Sequence, residues 1–492
     1  MLGIIIKKEI LDNLLSHKFL FIFILCSVLI LFSIYIGAAD YVESKKEYDA
    51  NVAALNARLQ PPGTIGLFSE YTGYRIYRPP QILRTIVAGV EDAAGRASYP
   101  NQLYENNLQE SKHENNTIFT LFGSIDLMFA VKFILSLCAI FLAYDAVSGE
   151  KEKGTLKLTL SNSVSRNRLI SGKIIGNYVS LLLLFLVPLL MSLIVLLLYP
   201  GISFNGDDWL RLILIFLMFL LYVSVFFTLG IFVSALTTRA STSFLVLLFL
   251  WIALVIVIPG ASTIIAKQIR PIPESSRLAG EKALFWIESN TAENEEMSKK
   301  WNELLPKYNS RAAELKSLEK ENPDRYKEEM TKLSAEANAE QMKLQDARLV
   351  GITDRVTANN IQVDRDYQLK KDAQQSLAKN ISRISPASSL TFGSMTLART
   401  GVDEYDRFVA ATRAYRPVYR KWMSGLVTGT QTSSSGGQID ENVIASIPQL
   451  PYTPETPGEL FVRTLVDFAL MAAMTIIFLT GAFFAFMRYD VR

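Results

Sequence analysis

The sequence predicts an all-α polytopic membrane protein with six transmembrane helices, an N-terminal interfacial helix and a mainly helical extracytoplasmic domain. Three observations carry that expectation. Half of the 492 residues are hydrophobic, yet 20% are charged, so apolar and polar residues must be segregated along the chain. Six apolar runs are long enough to cross a hydrocarbon core about 30 Å thick. Between two of them lies Tyr144–Lys173, with Lys151, Lys153, Lys157, Arg166, Arg168 and Lys173. Charges of this density cannot sit in hydrocarbon and mark an aqueous loop on the cytoplasmic side.

Composition also excludes several chemistries. A formal net charge of +3 is too small to argue for nucleic acid. Cys26 and Cys138 are the only cysteines and both fall in apolar runs, which rules out a disulfide framework or a Cys-rich metal site. His17 and His113 are the only histidines, leaving almost nothing for imidazole chemistry.

In chain order, residues 1–18 place Ile4, Ile5, Leu11, Leu14 and Leu15 on one face, apart from Lys7, Lys8, Glu9 and Asp12. This predicts an amphipathic helix in the membrane interface. A signal peptide is disfavoured, because Phe19–Ile36 exceeds a typical apolar region and no clear small-x-small cleavage site follows. Residues 19–38 form the first span. Residues 39–117 are polar and predicted to lie outside, with a helix over Tyr41–Leu59 ended by Pro61-Pro62-Gly63 and an extended turn at Pro79-Pro80. The run around Ile82, Leu83, Ile86 and Val87 is too short to span and should pack on the external domain or rest at the outer interface. Asn115-Asn116-Thr117 resembles a glycosylation triplet by chance.

The second span, 118–144, carries Asp126 and Lys132. Ionisable residues inside a span are functional candidates by default; the alternative is Asp126 at the outer interface with Lys132 snorkelling or paired in the bundle. Within 145–173, Leu156, Leu158, Leu160 and Val164 are spaced for a short helix with an apolar side. Gly154 and Thr155 open it, and Ser161 and Ser163 help the chain turn. A loop that only set topology would not need that spacing.

The third span is 174–198, kinked at Pro188, and the acidic loop after it is free of Lys and Arg. Spans four and five are 210–236 and 243–266, the latter broken at its outer end by Pro259-Gly260. Residues 267–457 are predicted to form a large helical extracytoplasmic domain. A helical hairpin restarts at Asn322-Pro323-Asp324, and further helices begin after Ser385-Pro386 and near Val402-Asp403. The run Ser433–Gly437 reads as a mobile loop. The sixth span is 461–487, with Arg463 and Asp467 as an i,i+4 pair, and Arg488 and Arg492 close the chain inside.

The stretch YDAVSGEKEKGTLKLTLSNSVSRNRLISGKIIG between spans two and three resembles ABC-2 type ABC exporter permeases, above all a NosY-like branch with a large extracytoplasmic domain. A G-E-x-E-x-G-T-L run is matched by Gly149, Glu150, Glu152, Gly154, Thr155 and Leu156. An S-x-x-x-R-x-x-L-x-x-G-K run is matched by Ser161 or Ser163, Arg166, Leu169, Gly172 and Lys173. Arg78–Leu83 (RPPQIL) and Ile384–Leu390 (ISPASSL) are similar to external segments of the larger members.

The resemblance implies a homodimeric permease in the bacterial inner membrane, both termini cytoplasmic, exporting a substrate with energy from two separate ABC ATPase subunits docked on 145–173. No G-x-x-x-x-G-K-[ST] loop exists, since Asn167 stands where Ser171-Gly172-Lys173 would need an upstream glycine. The chain itself is expected to bind no cofactor; ATP and Mg belong to the partner ATPase. In this scheme Glu150 and Glu152 cap or orient the docking helix, Leu156, Leu158 and Leu160 supply buried contact, and Arg166 and Arg168 pair with ATPase carboxylates. Asp126 and Lys132 become candidates for the transport path, because the second and fifth spans lie near the two-fold axis in such dimers.

Other classes fit less well. No paired catalytic carboxylates or Ser/His set suggests a membrane enzyme, and six dissimilar spans argue against a secondary transporter. A mechanotransmitter, passing ATPase strokes to an envelope partner without moving a substrate, also suits the large external domain.

Overall fold

The computed structural model of the chain describes residues 2–60, 63, 66–69, 74–100, 108–110, 126–161, 165–429, 439 and 441–489. Pro61-Pro62, the triplet at 115–117, the predicted start of span two at 118–125, Ser163, Val164, Ser433–Gly437 and Arg492 lie outside the described residues. The described part is almost wholly helical; its one sheet pairs Ile76–Tyr77 with Ala97–Ser98. Among the described residues six helices are long and apolar enough to cross a membrane: His17–Leu59, Leu127–Glu152, Arg166–Leu198, Gly206–Leu236, Ala240–Ile269 and Pro457–Met487. The chain divides into two units, Met1–Gly260 with Ser382–Arg492, and Ala261–Ile381.

In the first unit, span one and the helix expected at 41–59 are one continuous helix of 43 residues. At 1.5 Å per residue it is about 65 Å long. Gly37 lets the 3₁₀ turn Ile82–Thr85 cross it closely, since a Cβ there would strike the Thr85 carbonyl. Leu83, Ile86 and Val87 are buried in the core formed by the spans, rather than lying at an interface. They are held there by Arg84, which is itself buried and paired with Asp40, with Asp92 at 2.6 Å and with Glu91 at 3.6 Å. Burial alone would lower the pKa of the guanidinium; the three carboxylates outweigh it and raise it above the ordinary value.

Span four is the central helix. An Asn205/Asp208 capping box starts it, and every residue from Tyr222 to Ile231 is buried, the pattern of a helix surrounded on all sides. It packs against spans two, five and six and against the short helix Pro386–Ala398. Ser385 caps that helix and Pro386 opens it. Buried Ala387, Ser388, Ser389, Gly393 and Ser394 let it lie close to its neighbours.

Spans two and five each contain a π-helical turn, at Ala130–Leu135 and Ala253–Val257. The break expected at Pro259-Gly260 is absent, and the helix continues to Ile269. The wide turn precedes Pro259, where the missing N–H cannot bond the carbonyl of Val255. Arg463 and Asp467 do not pair with each other. Arg463 reaches Glu455 at 2.8 Å and Asp403 at 2.6 Å, whereas Asp467 accepts two bonds from Arg383, at 2.8 and 3.0 Å. These longer-range partners occupy both groups.

The N-terminal helix, Leu2–Leu14, packs along the start of span three. Ile5 sits at Gly172 and Glu9 at Gly176, and Asn13 donates to Asn177 at 2.8 Å and Ser180 at 3.2 Å. A four-residue spacing on both helices, with small residues on one, is the geometry of close helix packing in membranes. Ile4, Leu11 and Leu15 remain exposed on the other side.

The second unit is an antiparallel helical hairpin. Ser275–Leu315 runs against Pro323–Ser382, a helix of 60 residues. Cross-links fix the register: Arg348 donates to Asn290 and Asn294, Arg355 pairs with Glu293 at 3.3 Å and Arg311 with Glu336 at 2.8 Å.

The Gly176 contact generates a test. Gly176→Leu should dislodge the N-terminal helix, because a Cβ there already comes within 2.6 Å of Glu9 Cβ. Overpacking of this kind costs about 1–3 kcal/mol, so thermal unfolding of the purified protein should shift down and Lys7 and Lys8 become more open to trypsin. An unchanged melting temperature with unchanged cleavage would show that the packing is not tight.

Candidate functional site

The loop between spans two and three is a braced platform rather than a free strand. Span two leaves its helix in a turn at 144–147, and Ser234 of span four accepts from the amides of Val147 and Ser148, both at 3.0 Å. A short helix, Ser148–Glu152, follows, and Gly154 turns the chain with φ +74°. Nothing lies within 4 Å of where its Cβ would be, so the backbone conformation, not lack of room, calls for glycine. The helix Thr155–Ser161 comes next.

Lys151, Arg166 and Glu152 of this platform are used on the chain's own helix ends. Lys151 donates to the carbonyls of Ala235 and Thr237, at the C-terminal end of span four, and lies 4.8 Å from the Tyr489 ring. Arg166 donates to the carbonyls of Met487 and Tyr489, both at 3.0 Å, at the end of span six. Glu152 accepts from the amide of Ala240 at 2.9 Å, at the start of span five. These contacts satisfy terminal carbonyls and amides and match the helix dipole in sign.

At the centre is Lys173, almost fully buried. It donates to Glu150 at 2.7 Å and to Glu9 at 2.9 Å. Asn177 donates to Glu9 at 3.4 Å and to the Lys173 carbonyl at 2.8 Å. A buried ammonium needs such partners, since a stranded one is strongly destabilising.

The expected roles therefore redistribute. Glu150 and Glu152 do not cap the short loop helix; one holds Lys173 and the other caps span five. Leu156 is fully buried with Val147, Leu169, Ile170 and Phe486, so it is core and not contact surface. Arg166 is occupied by carbonyls. Leu158 is 69% exposed, and Lys153, Thr155, Lys157 and Arg168 are exposed with it. The Leu160 side chain lies outside the described residues. Sequence reading missed Ser234, Lys151 and Lys173 as braces. The available signal was a lysine followed directly by a long apolar run, which demands a carboxylate from elsewhere.

Asp126 and Lys132 do not form a direct ion pair. Asp126 is buried and caps span two, accepting from the amides of Phe129 at 2.7 Å and Ala88 at 2.9 Å. It anchors the 82–98 segment through Ala88. Lys132 stands in the π turn with its ammonium 5.3 Å from the Phe133 ring centre.

Comparison with known proteins gives a consistent picture. The family model described as ABC-2 family transporter protein matches residues 4–491. A probable ABC transporter permease protein NosY from Stutzerimonas stutzeri is 36% identical over 78 residues, 16% of this chain and 28% of that relative's length.

Leu156 and Leu158, two residues apart, should behave oppositely. Leu156→Ala removes a fully buried side chain and should destabilise the protein by about 2–5 kcal/mol. Leu158→Ala should leave the melting temperature unchanged. Equal shifts in thermal unfolding would contradict the assignment of one to the core and the other to the surface.

Proposed function

The chain belongs to the ABC-2 family of transporter proteins, and on that premise we propose that it is the permease subunit of a homodimeric exporter driven by two separate ATPase subunits. The observation that supports this reading is the platform at 145–173. Its exposed residues include three cations, Lys153, Lys157 and Arg168, and one large apolar side chain, Leu158. Beneath them the platform is fastened to the N-terminal helix and to spans three to six. A protein bound there would grip Leu158 and the cations, and a push on it would reach the five helices to which the platform is fastened. ATP and Mg are held by the ATPase partner in this reading, and this chain supplies no chemistry to hydrolysis.

The same reading places the platform and both termini in the cytoplasm of a bacterial cell, with the chain in the inner membrane. A second reading, a mechanotransmitter that passes the strokes to an envelope partner, draws on the 60-residue helix Pro323–Ser382, about 90 Å long.

Replacing Leu158 with Asp and Lys157 with Glu should weaken association with the ATPase subunit on the order of tenfold to a hundredfold, the equivalent of one buried leucine. Because both residues are exposed, the double variant should insert and melt normally. Co-purification and stimulated ATP turnover at wild-type levels would refute docking at this surface. Leu158→Cys should react with a membrane-impermeant maleimide in inverted vesicles and not in intact spheroplasts; the reverse pattern would overturn the orientation.

A further inference from the structure

Resting on the exporter reading, we propose that Lys132 receives the acidic head of an amphipathic anion held at membrane depth beside spans two and five. Lys132 lies in a membrane span and is only partly exposed. Among the described residues its ammonium has no ion pair within 4 Å, and it lies 5.3 Å from the Phe133 ring centre. The nearest acid in the span, Asp126, has each of its oxygens engaged by a backbone amide. A cation at this depth is retained when it has a partner, and among the described residues no carboxylate lies within ion-pairing distance, leaving only the longer-range field of Asp126.

The surroundings are built and fixed. The π turn widens the helix at Ala130–Leu135, and its freed carbonyl, that of Lys132, accepts from the Tyr222 and Ser136 hydroxyls, both at 2.7 Å. Ser136 in turn accepts from Trp251 Nε1 of span five at 2.8 Å. Phe129, Phe133 and Trp251 form a continuous aromatic wall, with ring centres 4.7 and 6.4 Å apart. One ammonium beside an aromatic wall suits a single carboxylate or phosphate carrying an apolar body. It repels amphipathic cations and offers too few charges for a polyanion. Two sources share this chemistry, an exported amphiphile and a resident anionic lipid.

Tryptophan emission reports on the site directly. With the purified permease in phosphatidylcholine nanodiscs, a chain-brominated dodecyl phosphate should quench emission saturably, and a brominated dodecyltrimethylammonium should not. Lys132→Met should abolish the saturable part, Lys132→Arg should restore it, and Trp251→Phe should remove most of the signal. Quenching that persists in Lys132→Met, or is equal for the cationic probe, overturns the proposal. Should Lys132→Met fail to fold, the contrast of anion with cation and Trp251→Phe decide it. Because the permease alone is used, this result is independent of ATPase docking. Adding the ATPase subunit and ATP then separates the sources: ATP-driven release of the phosphate marks cargo, retention marks a resident lipid, and either fits the site.

Discussion

One buried ammonium holds the loop end of this protein together. Lys173 joins Glu150, 23 residues before it, to Glu9, 164 residues before it, at the mouth of span three. Taking a lysine out of water is unfavourable unless both its charge and its hydrogen bonds are answered. That requirement fixes where the N-terminal helix lies and how the platform sits. Gly172 and Gly176 follow from it, because the carboxylate of Glu9 reaches Lys173 only if the two helices approach closely. The same constraint explains why Leu156 is turned inward: with Glu150 tied to span three, the next turn of chain folds over Leu169, Ile170 and Phe486.

The other end of the bundle is built by the same rule with arginine. Arg84 gathers Asp40, Glu91 and Asp92, and Arg383 binds both oxygens of Asp467. Between the two charged ends the core is nearly free of ionised groups. Its polar contacts are hydroxyl and indole bonds such as Tyr178 to Ser224 at 2.7 Å and Trp251 to Ser136 at 2.8 Å. Specificity of helix position therefore comes from the ends, and the middle contributes packing that tolerates small sliding.

The six spans were legible because hydrophobic runs and flanking cations are local properties. The hairpin restart at Pro323 and the helix starts at Pro386 and Val402 were legible for the same reason. Partners were not. Arg463 and Asp467 have the ideal spacing for a pair, but each finds a better-placed group far along the chain. In the loop, periodicity showed that Leu156 and Leu158 belong to a short helix. It could not say which of them the rest of the chain would cover, because that depends on Val147 and Phe486, residues from two other segments. The π turn of span two was also invisible, since nothing in AVKFIL departs from ordinary helix-forming composition; that of span five had its signal in Pro259, which reads as a break rather than as a wide turn.

The unbroken first helix has a mechanical consequence. Its part beyond Ala38, through Leu59, is 21 residues of the same rod, about 31 Å by the helical rise. A stiff rod converts rotation at one end into displacement at the other. A tilt of about 10° within the bilayer would carry Leu59 sideways by roughly 5 Å, the pitch of one helical turn. Leu59 is packed with Leu67, Phe68, Tyr415, Tyr419 and Ile439, so the aromatic cluster at the tip moves as its load. The chain thus carries an amplifier of angular motion, and a proline placed just beyond Ala38 would turn the lever into a slack joint.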